Sequence, residues 1–327
     1  MNILSPEGLF TRDLPTGNLV WVDQVNGNDS LAVRGQRGVP FKTLTAAKNA
    51  AQAGDTIMVL PGTYDENDLL RDQVNWYFFP GALVHYTDTQ AGAIFDTGSS
   101  AVTSCIAGLG EFQSDNTEVV VFSSPGSDVR IEARRMMADA ATCVHVYAQS
   151  DCLRLVVAEK IEGVVGINMN GGSTCRCIVD ADEVCGTASY GVLYSGGELL
   201  HVTARRLSAW SNVVQLTDGT GEVIIDASEI TVDDDVSAVV YGASAPKLVI
   251  RNARIKSANA DAVSIGENGS NKVQLMSCVG IAGNAHSIYA TNANTLVQIP
   301  GGWASNRDVH SNVSLIGGFI APNTNIW

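Results

Sequence analysis

From residue 129 onward the chain repeats itself. Segments beginning at Val129, Leu153, Arg176, Leu199, Val223, Leu248, Val273 and Leu296 carry one order of residues. Their period is about 24, inside the range that marks a stacked solenoid. Each segment opens on an alternating run: RIEARRM, RLVVAEKI, CIVDADEV, LHVTARRL, VIIDASEI, VIRNARI and VQLMSCVGI in turn. A small polar turn follows, and then a second run: CVHVYA, VGINMN, YGVLYS, VVQLTD, AVVYGA, AVSIGE and HSIYAT. A turn rich in Gly, Ser, Asn and Asp closes the coil. Period-two alternation sends one apolar set inward and one polar set outward. A unit this short cannot bury its apolar side alone, so stacked neighbours must supply the core. The repeat therefore predicts an all-β solenoid with two strands per coil. The leucine-rich horseshoe pattern, the Trp-Asp signature of propeller blades and the glycine-rich calcium-roll repeat are absent from the chain.

Upstream, residues 40–64 read PFKTLTAAKNAAQAGDTIMVLPGTY. Thr43 is placed to cap a helix whose apolar face is Leu44, Ala47, Ala50 and Ala51. Gly54 falls where a left-handed residue ends a helix. Ile57, Met58, Val59 and Leu60 form a first strand before the Pro61-Gly62 turn. The open end of a solenoid exposes unpaired backbone and apolar side chains, and an amphipathic helix laid across it protects both.

With the preceding VDQVNGNDS, this segment resembles the opening of right-handed parallel β-helix proteins of the pectin-lyase-like superfamily. The recurrent pattern is V-D-x-x-x-G-N-D, then P-F-x-T-[LI]-x-x-A, then A-x-x-G-D-T-I-x-V-x-P-G-x-Y. It is met by Val22, Asp23, Gly27, Asn28, Asp29, Pro40, Phe41, Thr43, Leu44, Ala47, Gly54, Asp55, Thr56, Ile57, Val59, Pro61, Gly62 and Tyr64. The resemblance runs over residues 20–90 and implies a single-stranded right-handed parallel β-helix with an N-terminal capping helix. Such openings are frequent in bacteriophage tail spikes, fibres and related virion proteins, and in secreted bacterial surface proteins. The pattern marks the start of the helix, not an active site. The expected division is an N-terminal arm and opening strand over 1–39, the capping helix and first coil over 40–64, early irregular coils over 65–128, and regular coils with the C-terminal end over 129–327.

Bulk properties narrow the partners. The formal net charge of −14 disfavours nucleic acid and anionic membranes, and a polyanionic sugar would need bridging calcium. No run of about 20 apolar residues occurs, so no membrane span is expected. The N-terminal MNILSPEGLFTRDLP lacks a basic region followed by an apolar core, so no signal peptide is expected. This fits a product made in a host cytoplasm and exposed on a particle, and weakens a secreted adhesin. The count of seven cysteines is odd, which argues against a complete intrachain disulfide framework. Cys175 and Cys177 face one side of a strand, as small core residues would. Cys152 and Cys175 occupy equivalent ends of successive repeats, where a stacked pair or a disulfide are both open. No cofactor is expected.

The outward column of the first strand carries Arg134-Arg135, Glu159-Lys160, Asp182-Glu183, Arg205-Arg206, Ser228-Glu229 and Arg254. Opposite charges on rungs about 4.8 Å apart specify register and solubility. The same residues would serve as an interface or sugar-binding face, with Arg205, Arg206 and Trp210 as the binding candidates. Catalysis by paired carboxylates would fall to Asp180, Asp182 and Asp226. In pectate-lyase-like enzymes carboxylates on one strand face bind calcium beside a basic residue. The nearest constellation to that is Asp180, Asp182 and Glu183 beside Arg205 and Arg206. Asp233, Asp234 and Asp235 read as a solvated turn. Tyr194, Tyr241 and Tyr289 on the second strand read as packing. The five histidines form no metal-binding pair. The C-terminal stretch holds Trp303, Phe319, Ile320, Ile326 and Trp327 without a closing helix, which calls for cover by another surface. The expectation is a homotrimer of parallel solenoids, joined to other virion proteins through the N-terminal arm. It would act as a non-enzymatic virion appendage that meets host surface polysaccharide, against a polysaccharide depolymerase or lyase as the alternative.

Overall fold

A computed structural model describes residues 17–89, 92–147, 152–172, 174–217, 219, 221–232, 236–242, 247–257, 260–266, 273–278, 288–290, 295–298, 303–305, 313–316 and 319–321. Across them the chain is a parallel β-solenoid with one short helix, and every strand pairing in register is parallel. Three faces, here A, B and C, run the length of the stack. Face A is threaded inward by Val20, Ile57, Trp76, Ile106, Ile131, Val156, Val179, Val202, Ile225, Ile250 and Leu275, each the register partner of the next. Face B is threaded by Tyr64, Val84, Phe112, Met136, Ile161, Val184, Leu207, Ile230 and Ile255. Face C is threaded by Phe95, Val120, Val144, Ile167, Val192, Val214, Val239, Val263 and Ile288. All of these side chains are buried in one continuous core.

The sequence led to two strands per coil, and the structure has three faces. The run read as one strand spans faces A and B and bends between them. Ala133, Ala158, Ala181, Ala204 and Ala227 stack in register at the bend. Each is buried, because inward side chains of two faces converge there and a methyl is what fits. The next residue (Arg134, Glu159, Asp182, Arg205, Ser228) drops out of the pairing and points outward at the corner. The repeat boundaries also shift. Val129 pairs with Arg154, Leu199 with Glu222 and Val273 with Val297, one residue away from the apolar starts read in the sequence. Leu199 is half-buried in an outward column with Arg176 and Glu222, while Leu200 is the core residue.

The helix, α1, covers Leu44–Ala50, and Leu44 and Ala47 are buried against the first coil. Its first turn is capped from three directions. Thr43 Oγ1 accepts from Ala46 N at 3.2 Å. Asp29 accepts from Lys42 N and Thr43 N at 2.7 and 3.1 Å. Glu66 accepts from Leu44 N and Thr45 N at 2.7 and 2.5 Å. At the other end Arg71 Nη1 donates to Lys48 O and Asn49 O at 2.5 and 3.0 Å. Carboxylates thus meet the positive end of the helix and a guanidinium meets the negative end. Gly54 does not end the helix. Ala51 does so in an extended conformation, and Gly54, at φ 87°, makes the tight turn that delivers Asp55 to the first strand.

Asp55 explains why the Gly-Asp-Thr stretch matters. Its fully buried carboxylate accepts from Arg34 Nε and Nη2 at 2.6 and 2.7 Å, from Gln52 N at 2.7 Å and from Asn18 N at 2.9 Å. Burial alone would raise its pKa, but the Arg34 hydrogen bonds and the two backbone donors hold it below the usual carboxylate range. One side chain thereby ties the loop carrying Arg34, the opening strand and the helix exit together. Farther on, Phe78, Phe95 and Phe112 meet edge-to-face, with Phe112 centred 4.9 Å from Phe78 and 4.8 Å from Phe95. At the C-terminal end Trp303–Ser305 and Phe319–Ala321 pair as a separate two-stranded sheet. The arm over 1–16, Asp233, Asp234, Asp235, His286, His310, Ile326 and Trp327 lie outside the described residues.

Candidate functional site

The three inward columns are apolar packing, so the candidate chemistry lies on the outer faces. Their characters differ. Outward from face A project Val157, Ile178, Leu199 and Ile224, all half-buried, and Val249, buried. Outward from face B runs the charge column: Glu111, Arg135, Lys160, Glu183, Arg206, Glu229 and Arg254 in register. Neighbouring rungs neutralise one another. Arg135 meets Glu162 at 3.6 Å and Arg206 meets Glu183 at 3.8 Å, and along its own strand Lys160 also meets Glu162 at 2.6 Å. At the corner Arg134 reaches Glu111 at 3.1 Å and Glu159 at 3.7 Å. These pairs lie at the surface, half-buried to exposed, so each is worth about 0–1 kcal/mol.

The three candidate carboxylates do not converge. Asp180 and Asp226 share an outward column of face A, with Thr203 on the rung between them. That sets them two rungs, or about 10 Å, apart. Asp226 is engaged: His201 Nε2 lies 2.8 Å from Oδ2 and Arg251 Nη1 3.6 Å from it. Asp182 stands at the corner, where it faces away from both. The alternation that seemed to unite Asp180 and Asp182 breaks there, because Asp182 and Glu183 both point outward. Among the described residues no group of three or more His, Cys, Asp and Glu side chains gathers to hold a metal ion.

The binding candidates lie on one strand, Leu199–Ala209, and the turn after it. Arg205 is exposed at the corner, and Arg206 projects from face B between Glu183 and Glu229. Trp210 follows at the far edge of face B, 65% exposed, and its backbone N donates to Gly186 O at 3.0 Å. Tyr194 is buried with its hydroxyl donating to Gly197 O at 2.7 Å, and burial pushes its pKa up to about 12. Tyr241 is buried as well, and Tyr289 is half-buried. Cys175 and Cys177 are core residues. Cys152 and Cys175 are register partners, and the Cys152 side chain lies outside the described set.

The polar clusters that the sequence does not announce include two on the regular coils, besides His85 and Asp115 at 2.6 Å on the early ones. His201 and Asp226 are diagonal neighbours on adjacent rungs, so the period alone would have brought them together had the register been known. On face C, His145 is buried between Glu118, 3.4 Å from Nδ1, and Asn168, 3.1 Å from Nε2, with the Tyr147 ring against it. The His145 hydrogen bond holds the Glu118 carboxyl below its ordinary range against the opposing effect of burial.

Comparison with known proteins gives one family match. A family described as a protein of unknown function, DUF1565, aligns with residues 25–69. That span holds Asp29, Thr43, Asp55 and Glu66, the side chains that cap α1 and lock the first coil. No curated protein and no solved structure matches the chain.

Proposed function

We propose that the chain is a non-enzymatic bacteriophage virion appendage, a spike, fibre or decoration component, that contacts host surface glycans. The solenoid fold and the matched opening segment fit a surface or glycan-binding protein. The observation that carries the binding reading is the outer surface itself. The candidate carboxylates Asp180, Asp182 and Asp226 are dispersed and Asp226 is held by His201 and Arg251, while face B offers a long polar platform edged by an exposed indole. Acid–base catalysis needs two groups converging on one bond. A platform needs only area and donors.

The outer side of face A supports self-association. Parallel strands with apolar residues on both faces are the pattern of sheets covered on both sides, and the column through Ile178, His201, Ile224 and Val249 is largely of that kind. A homotrimer of parallel rods would cover that column together with the His201–Asp226–Arg251 cluster beside it, and leave the charged column of face B free. Incubation of the protein with host capsule or lipopolysaccharide tests the reading. Retention of the polysaccharide with no new reducing ends and no unsaturated products is expected, and product formation would replace this reading by a depolymerase or lyase. Light scattering at micromolar concentration tests the assembly, and a monomer would count against it.

A further inference from the structure

We infer that Trp210 and the outward residues beside it form a subsite for an uncharged pyranose sugar, a reading that rests on the binding function proposed above. Trp210 is 65% exposed although an indole is the largest apolar side chain the chain has to bury. Of the three tryptophans whose side chains are described, Trp76 is buried and Trp21 is shielded by Phe79 and Arg37. Trp210 alone presents its ring to solvent. The face of a pyranose ring that carries only C–H groups packs on such a ring, while its hydroxyl rim requires donors and acceptors nearby.

Those groups are in place by register. Along the strand, Arg206 and Ser208 share one outward side about 7 Å apart, and Trp210 follows in the bend directly after the strand's last residue, Ala209. Thr231 is the register partner of Ser208 on the next rung, about 4.8 Å off. A ring stacked on Trp210 would therefore have the Ser208 and Thr231 hydroxyls at its rim, and the following residue of an oligosaccharide would reach Arg206. The charges select against an acidic sugar. Arg206 is bracketed by Glu183, at 3.8 Å, and Glu229 on the adjacent rungs. A sugar carboxylate at Arg206 would find that cation already matched by two carboxylates on a chain of net charge −14, while Lys256, exposed as the register partner of Thr231, lies one rung farther on. Neutral hydroxyls, by contrast, accept from the guanidinium and donate to the carboxylates.

The test titrates the full chain with maltohexaose, cellohexaose, and hexasaccharides from mannan and galactan, with hexagalacturonate as the acidic control, by saturation-transfer NMR and calorimetry. Saturable binding of at least one neutral oligosaccharide is expected. Trp210→Ala should weaken it by about tenfold or more, and Trp210→Phe should keep it within about threefold. Far-UV circular dichroism should be unchanged in both. Absence of binding to all the neutral probes, or binding of the acidic control alone, overturns the subsite. Neutral binding that survives Trp210→Ala also overturns it but leaves the glycan-binding function standing. Cleavage of a probe overturns the binding-only function instead.

Discussion

Replacing Asp55 by Asn tests how the first coil is held. The substitution keeps the shape and one acceptor oxygen but places an NH₂ where an oxygen accepts two donors. Whichever way the amide turns, it confronts either Arg34 Nε with Gln52 N or Arg34 Nη2 with Asn18 N. Breaking one side of a buried ion pair costs about 3–5 kcal/mol. Arg34 is 28% exposed and regains water when released, so the lower end, about 3 kcal/mol, is expected. In a solenoid each rung contacts its neighbours, so the loss should stay local. Hydrogen exchange of strand amides over 19–22 and 56–59 should accelerate on the order of 100-fold while that over 222–232 is unchanged. The pH dependence has a defined sign. The folded carboxyl has the lower pKa, so its contribution is present above the unfolded value, about 3.9, and disappears as pH falls through the folded value. Wild-type urea midpoints should fall in that acidic window, and Asp55→Asn should lack the step. Exchange within about threefold of wild type, or equal acceleration in the distal coils, would refute both the lock and the nearest-neighbour picture.

Three further outcomes are expected. Phe112→Ala, which empties the position between Phe78 and Phe95, should cost about 3–5 kcal/mol in denaturant unfolding. Ala181→Leu places a branched side chain at the corner between Ala158 and Ala204, and should destabilise by about 1–3 kcal/mol or more, whereas Asp182→Ala next to it should change stability by less than about 0.5 kcal/mol. Glu66→Ala leaves the N–H groups of Leu44 and Thr45 without their acceptor, and should cost about 1–2 kcal/mol and expose α1 to limited proteolysis first.

Much of this architecture is legible in the residues alone. The period of the repeat demands stacking, because no single coil can bury its own apolar side. The second run of each coil holds the described strand of face C, since a short strand with small polar turns at both ends leaves little choice of register. The helix is announced by Thr43 and the spacing of Leu44 and Ala47, and the matched opening motif proves to be a set of capping and locking side chains. The bend hidden inside the first run is marked only by a doublet of polar residues. Val-Asp-Ala-Asp alternates as a straight strand would, Glu183 breaks the alternation before Val184, and the turn at Ala181 arises because the side chains of two faces compete for one volume. That competition exists only once the coils are stacked. The same holds for the outer surface. Composition supplies the carboxylates, but which of them meet is decided by register, and a one-residue difference moves a side chain to the other side of the sheet. Local pattern therefore determined that the chain coils, where it starts and which residues line its core. The tertiary structure decided that the coil has three faces, that Asp226 belongs to His201 and Arg251, and that Trp210 is left uncovered, because contacts between residues about 24 apart depend on how each lap settles on the last.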